Sequence, residues 1–172
     1  FLVIITLLGI FGAPWLIYIS APGFVSNPQK FELTVDLLRI IFPYIFFISL
    51  VSMAGGVLNT FGKFSVPAFT PVWLNISFIV SALFFADYFS QPIFVLAWAV
   101  FFGGILQLSF QIPFLKKIGC LPSLDFNFND PGVWRVIKLM GPSILGVSVA
   151  QISLLINTVF ASFLAVGSVS WL

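Results

Sequence analysis

Apolar residues gather along this chain in long runs rather than stripes. Phe1–Ile19, Ile40–Phe61, Phe64–Ala86, Tyr88–Leu115 and Leu139–Leu172 contain no charged residue. A bilayer core of about 30 Å needs ~20 apolar residues of helix to cross it, and each run holds such a stretch. Lipid offers no partner to a backbone amide, so an open chain can satisfy itself there only as helix. The pattern predicts an all-α polytopic membrane protein. About five transmembrane helices are expected, near residues 1–20, 33–60, 66–88, 92–115 and 141–172.

Polar and breaker residues mark the joints. Ser20-Ala21-Pro22-Gly23 ends the first span, and Asn27-Pro28 reads as an N-cap followed by proline at the first helical position. The second helix runs from there to about Asn59, with a kink expected at Pro43. Gly62-Lys63 makes a tight turn. The third span begins around Pro67 and ends near Asp87, Ser90-Gln91-Pro92 leads into the fourth, and Lys116-Lys117 closes it. The connection 116–140 is longer and patterned. Leu124, Phe126 and Phe128 alternate with Asp125, Asn127 and Asn129, the period of an extended segment. Asp130-Pro131 starts a short helix with Val133, Val136, Ile137 and Met140 on one face and Arg135 and Lys138 on the other. Such a basic amphipathic helix lies in the headgroup plane; the alternative is an early first turn of the fifth span.

Composition agrees. Hydrophobic residues make up 60% of the chain and charged residues 7%, with a mean hydropathy of +1.18, whereas a soluble domain carries ~25% charged residues. A soluble domain is therefore not expected within the 172 residues. The net charge of +2 is too small to suggest nucleic acid as a partner. No histidine is present and Cys120 is the single cysteine, which excludes an intrachain disulfide, a histidine general base and a Cys/His zinc site. Phe1 is not an initiator methionine and Trp171-Leu172 carries no polar tail, so the chain reads as an internal piece of a longer one. Location of charge sets orientation: Lys63, Lys116, Lys117, Arg135 and Lys138 share one side, Lys30 and Arg39 the other. The richer side, with the 116–140 loop, is expected in the cytoplasm.

No nucleophile, metal cluster or phosphate loop is evident, and Gly55-Gly56 and Gly103-Gly104 lack the flanks of a nucleotide motif. What remains is polar residues inside spans, which are costly there. In the fifth span Ser143, Gly146, Ala150, Ser153, Asn157 and Ala161 step by three and four, with Ser148, Gln151, Thr158 and Ser162 beside them. The second span repeats the theme with Ser49, Ser52, Gly55 or Gly56, and Asn59. The fourth puts Gly103, Gln107 and Gln111 on one face. Two readings stay open: close helix packing glued by amides, or the lining of a water-filled cavity. The residues singled out as cavity-lining are Asn157, Gln151, Ser153, Ser148, Arg39 and Asn75. Asp36 and Arg39 stand i, i+3 and are placed to pair. Pro43, Pro67, Pro71 and Pro113 should break the helical ladder and allow bending.

The run Leu58-Asn59-Thr60-Phe61-Gly62-Lys63-Phe64-Ser65-Val66-Pro67-Ala68-Phe69-Thr70-Pro71, followed by Leu74-Asn75-Ile76, resembles the MurJ/MviN family of lipid II flippases. Ala13-Pro14-Trp15, Ala21-Pro22-Gly23-Phe24, Phe42-Pro43-Tyr44, Leu96-Ala97-Trp98-Ala99 and Met140-Gly141-Pro142 extend the likeness over essentially the whole chain. The resemblance implies a two-lobe fold of about fourteen helices in the multidrug/oligosaccharidyl-lipid/polysaccharide exporter superfamily. Residues 1–140 would then belong to the N-terminal lobe and 141–172 form the first helix of the C-terminal lobe. It also implies transport of undecaprenyl-pyrophosphate-linked peptidoglycan precursor across the bacterial inner membrane, with that lipid and membrane lipids as partners and no enzymatic step. The arginines that hold the pyrophosphate in the family lie on helices that do not match this chain. No cofactor is expected, and coupling to sodium or to the membrane potential stays open. Some members carry an acidic, sodium-binding residue where Asn157 stands; Asn157 offers a carbonyl without charge, at most a weak sodium ligand.

Other readings compete. Another transporter of the superfamily, for a polysaccharide-lipid or a drug, shares the hydropathy but not the sequence around Lys63. A polyprenyl-phosphate glycosyltransferase would need acidic metal ligands, for which only Asp125 and Asp130 are available. A purely structural membrane subunit is the third alternative.

Overall fold

The computed structural model describes residues 2–89, 91–121 and 131–163. They form α1 (Leu2–Phe11), α2 (Ala13–Ser20), a 3-10 turn at Pro22–Phe24, α3 (Pro28–Ile41), α4 (Tyr44–Thr60), α5 (Ser65–Phe85), a second 3-10 turn at Ala86–Tyr88, α6 (Ile93–Lys117) and α7 (Pro131–Ser162). No strand occurs among the described residues. Three helical stretches are long and apolar enough to cross a bilayer by themselves: Pro28–Thr60, Ser65–Tyr88 and Ile93–Lys117. The number rises to five if α1 with α2, and the two arms of α7, each count as one broken span. The chain is an all-helical, multi-pass membrane protein. The extended pattern expected at residues 124–129 and the Asp130 cap lie outside the described residues.

Three local details differ from expectation. The first span is not one helix, because it breaks at Gly12, ahead of Pro14. Pro14 has no amide to offer the Ile10 carbonyl, and its ring crowds that oxygen. The amphipathic segment starting at Pro131 is not a separate helix. It is the first arm of α7, which bends by 56° between Trp134–Pro142 and Gly146–Ser162, where Pro142 withholds an amide from the ladder. Finally, Pro43 separates α3 from α4, but α5 and α6 continue through Pro71 and Pro113. Pro67 sits in the first turn of α5, where amides have no intrahelical acceptor in any case.

The chain divides into two compact units. The first comprises Phe1–Pro14 and Glu32–Leu121, in which α5 packs along α6, α4 lies against α6 and to a lesser extent α5, and α1 touches α4. Close approach comes from small residues on α6. A Cβ on Gly103 would meet Leu74 at 2.6 Å, and one on Gly104 would meet Tyr44 at 2.8 Å and Phe47 at 2.9 Å. Without a hydrophobic force between helices in lipid, this glycine-mediated contact is what tightens the bundle.

One end of this unit is closed by a repeated device. Gly62 and Gly119 both have φ of 71°, the left-handed conformation open to glycine without Cβ strain. After α4, Lys63 N–H donates to the Leu58 carbonyl at 2.9 Å and Gly62 N–H to Asn59 at 3.0 Å. After α6, Cys120 N–H donates to Leu115 at 3.0 Å and Gly119 N–H to Lys116 at 3.1 Å. Both are Schellman caps, in which a glycine reverses the chain and orphan carbonyls find donors. Leu58 and Leu115, which accept the outer bonds, meet in one buried cluster with Ala54 and Val66, flanked by Val57, Phe110, Phe114 and Ile118.

The second unit comprises Trp15–Phe31 and Pro122–Leu172. Asn27 caps the next helix, its Oδ1 accepting from Lys30 N–H at 3.2 Å. The turn at Pro22–Phe24 packs on the end of α7: Gly23 N–H donates to Ser162 Oγ at 3.1 Å, and Ser162 Oγ donates to the Val159 carbonyl at 2.7 Å. A side chain at Gly23 would strike the Ser162 backbone.

Candidate functional site

Polar groups inside the helices fall into three sets, and burial separates them. The first is a network buried between α4, α5 and α6. Tyr44 Oη donates to Gln107 Oε1 at 3.2 Å, Gln107 Nε2 donates to the Thr70 carbonyl at 3.4 Å, and Gln111 Nε2 donates to Thr70 Oγ1 at 2.9 Å. Thr70 Oγ1 in turn donates to the Val66 carbonyl at 2.9 Å. Two turns farther along α5, Ser77 Oγ donates to the Ala99 carbonyl at 2.7 Å. Gln107 and Gln111 retain only 2% and 1% exposure. For the α6 face read from sequence, this geometry is helix packing.

The network is not fully satisfied. Among the described residues Gln111 Oε1 and Trp73 Nε1 are buried with no hydrogen-bond partner. Gln111 is closed in by α4 as well, since a Cβ on Gly55 would lie 3.9 Å from its Nε2 and 3.4 Å from Pro67. Sequence reasoning found the two glutamines and missed Tyr44, Thr70 and Trp73. Their signal was weak: a threonine between Pro67 and Pro71, and a tyrosine directly after the Pro43 break.

The second set is the polar face of α7. Gln151, Ser153 and Asn157 are exposed, and Ser148 is half-buried with its hydroxyl donating to the Ile144 carbonyl at 2.7 Å. Thr158 bonds back to Leu154 in the same way at 2.9 Å. These back-bonds engage the Ser148 and Thr158 hydroxyls within the helix, leaving the exposed Gln151 and Asn157 amides and the Ser153 hydroxyl to offer hydrogen bonds outward. The same reasoning separates the second span: Ser49 bonds back to Ile45 at 2.7 Å, while Ser52 and Asn59 are exposed.

The third set lies on α3. Arg39 Nη1 and Asp36 Oδ1 are 3.4 Å apart, with side chains 46% and 55% exposed. The expected i, i+3 pair forms, and at that exposure it is a weak one. Asn75, on α5, is exposed and sits apart from the Tyr44–Gln107–Thr70–Gln111 network. The structure thus joins none of the six residues expected to line a cavity to that network; Asn157, Gln151, Ser153 and Ser148 share α7, and Arg39 and Asn75 stand on other helices. No group of three or more acidic, cysteine or histidine side chains suited to a metal occurs among the described residues.

Comparison with known proteins bears on what such an arrangement serves. The family model described as lipid II flippase MurJ matches residues 1–172. A protein named probable lipid II flippase MurJ from Buchnera aphidicola subsp. Acyrthosiphon pisum is 50% identical over 172 residues, covering 100% of this chain and 34% of that protein. The lipid II flippase MurJ of Burkholderia cenocepacia is 48% identical over 175 residues, 99% of this chain and 34% of its own length. A probable lipid II flippase MurJ from Haemophilus influenzae is 45% identical over 176 residues, with 98% and 34% covered. The chain spans about a third of the length of these curated relatives.

Proposed function

The chain belongs to the MurJ family of lipid II flippases, and from that premise we propose that its helices serve as part of a lipid II flippase. The protein would carry undecaprenyl-pyrophosphate-linked peptidoglycan precursor from the inner to the outer leaflet of the bacterial cytoplasmic membrane. The observation that carries this reading is the family match, which runs from residue 1 to residue 172. A multi-pass bundle suits such work because the task is physical rather than covalent. A charged head group must be shielded from hydrocarbon while the lipid tail stays in it, and exposing a polar cavity to one side and then the other achieves this.

Within that scheme the three sets of polar residues take different roles. The buried α4–α6 network holds the first unit as one body, and residues 1–140 form part of the N-terminal lobe. The α7 face, with Asn157, Gln151, Ser153 and Ser148, serves as cavity lining contributed by the first helix of the C-terminal lobe, and Arg39 and Asn75 serve as lining residues of the N-terminal lobe. The bend at Pro142 supports this, since a helix that has already lost a ladder bond rearranges at low cost. Any sodium at Asn157 would meet a neutral carbonyl oxygen rather than a carboxylate, so coupling by the membrane potential is the better fit. The end bearing Lys63, Lys116 and Lys117 faces the cytoplasm, the side favoured for lysine-rich loops. No covalent chemistry is assigned.

The test is reconstitution of the full-length flippase carrying this segment into liposomes, with fluorescent lipid II and a leaflet-specific quencher. Transport above protein-free vesicles is expected, and its absence overturns the reading. Asn157→Leu should lower transport at least several-fold with folded protein near normal; unchanged transport would remove Asn157 from the cavity.

A further inference from the structure

The cap-bearing end of the first unit carries an arrangement that the transport reading uses only for orientation. Two Schellman turns lie side by side there, because the residues that accept their outer bonds, Leu58 and Leu115, are packed in one cluster. The turns present Lys63, Lys116 and Lys117, all exposed. Hydrophobic side chains flank these lysines and are themselves exposed: Phe61 at 51% and Phe64 at 65% around Lys63, and Leu121 at 50% beyond Gly119. Lys117 Nζ stands 5.7 Å over the Phe114 ring, which holds its stem along the helix end.

Charge is segregated within this unit. Its described carboxylates, Glu32, Asp36 and Asp87, all belong to the opposite end, since α4 and α6 run toward the lysines and α5 away from them. Among the described residues the ion pair found is Asp36–Arg39, so none of the three lysines is neutralised by a described carboxylate. A bare helix C-terminus would repel an anion through its free carbonyls. Here the caps occupy carbonyls at both ends, which leaves the ammonium groups to set the local field.

We infer that this end is a binding surface for the headgroup phosphate of an anionic phospholipid in the adjoining leaflet. Phe61, Phe64 and Leu121 enter the acyl boundary, and Lys63, Lys116 and Lys117 meet the phosphate above it. Aromatic side chains at the interface with lysine just beyond are suited to that depth. The complement in charge selects an anionic headgroup over a zwitterionic one, and each lysine should contribute about fivefold to the preference.

The experiment titrates phosphatidylglycerol and, separately, phosphatidylethanolamine into the purified, delipidated full-length protein, with bound lipid counted by native mass spectrometry. The wild type should bind phosphatidylglycerol at least tenfold more tightly than phosphatidylethanolamine, with the preference shrinking as ionic strength rises. The triple variant K63Q/K116Q/K117Q should lose most of that preference. Arginine at the same three positions should restore it, which separates lost charge from lost folding, and Lys30→Gln, on α3, should leave it intact. Equal binding of the two lipids by the wild type, or undiminished preference in the triple glutamine variant, overturns the proposal.

Discussion

Replacing Gln111 by leucine should cost the protein almost nothing, although Gln111 is among the most buried side chains at 1% exposure. The substitution removes one interhelical bond, Gln111 Nε2 to Thr70 Oγ1 at 2.9 Å. Such bonds between membrane helices average about 0.6 kcal/mol and reach about 1.7. The same change also removes Gln111 Oε1, an acceptor that is buried without a partner, and such a group costs about 1–3 kcal/mol. The two terms have opposite signs and overlapping ranges, so the net change should fall within about 1 kcal/mol of zero. Gln107→Leu is the contrasting case. Both ends of that amide are engaged, and its loss leaves the Tyr44 hydroxyl without its acceptor, for an expected cost of about 1–2 kcal/mol. The assay is SDS-induced unfolding of the purified protein in micelles, followed by far-ultraviolet circular dichroism for wild type, both single variants, Thr70→Val and the Thr70→Val/Gln111→Leu double variant. Coupling between Thr70 and Gln111 should not exceed about 1.7 kcal/mol. If Gln111→Leu destabilises by more than Gln107→Leu, the assignment of an unpaired oxygen to Gln111 is wrong.

Two further outcomes follow from the caps and the lysine end. Gly62→Ala and Gly119→Ala each place a Cβ at a φ of 71° and should destabilise by about 1–2 kcal/mol, whereas Gly56→Ala, with open space around its Cβ, should be neutral or slightly stabilising in the same unfolding assay. Cys120, the single cysteine, follows Gly119 at the lysine end and is half-buried. A membrane-impermeant maleimide should label it in inverted vesicles and fail in intact cells with permeabilised outer membranes; labelling from outside would reverse the orientation.

Much of the fold was legible because a bilayer makes secondary structure a local matter. With no water to accept a backbone bond, an apolar run must be helix. A proline withdraws its amide wherever it stands in a helix interior, and Pro43 accordingly divides α3 from α4, although α5 and α6 continue through Pro71 and Pro113 and the bend of α7 at Pro142 was not expected. Gly62 marked its turn, and Asn27-Pro28 marked the start of α3, for equally local reasons. The break at Gly12 and the continuity of α7 from Pro131 were less evident, because the same residues allow either outcome until neighbouring helices and caps are in place. What the sequence left open was the meaning of its polar residues. Periodicity puts Gly103, Gln107 and Gln111 on one face, and Ser153 and Asn157 on another, but it does not say which face meets a helix. Tertiary packing decided that: α5 brings Thr70 under both glutamines and α4 brings Tyr44 to Gln107, while Gln151 and Asn157 stay exposed. The physical reason is that a helix satisfies its own backbone from neighbours along the chain, whereas a side-chain amide is satisfied only by what another helix carries to it.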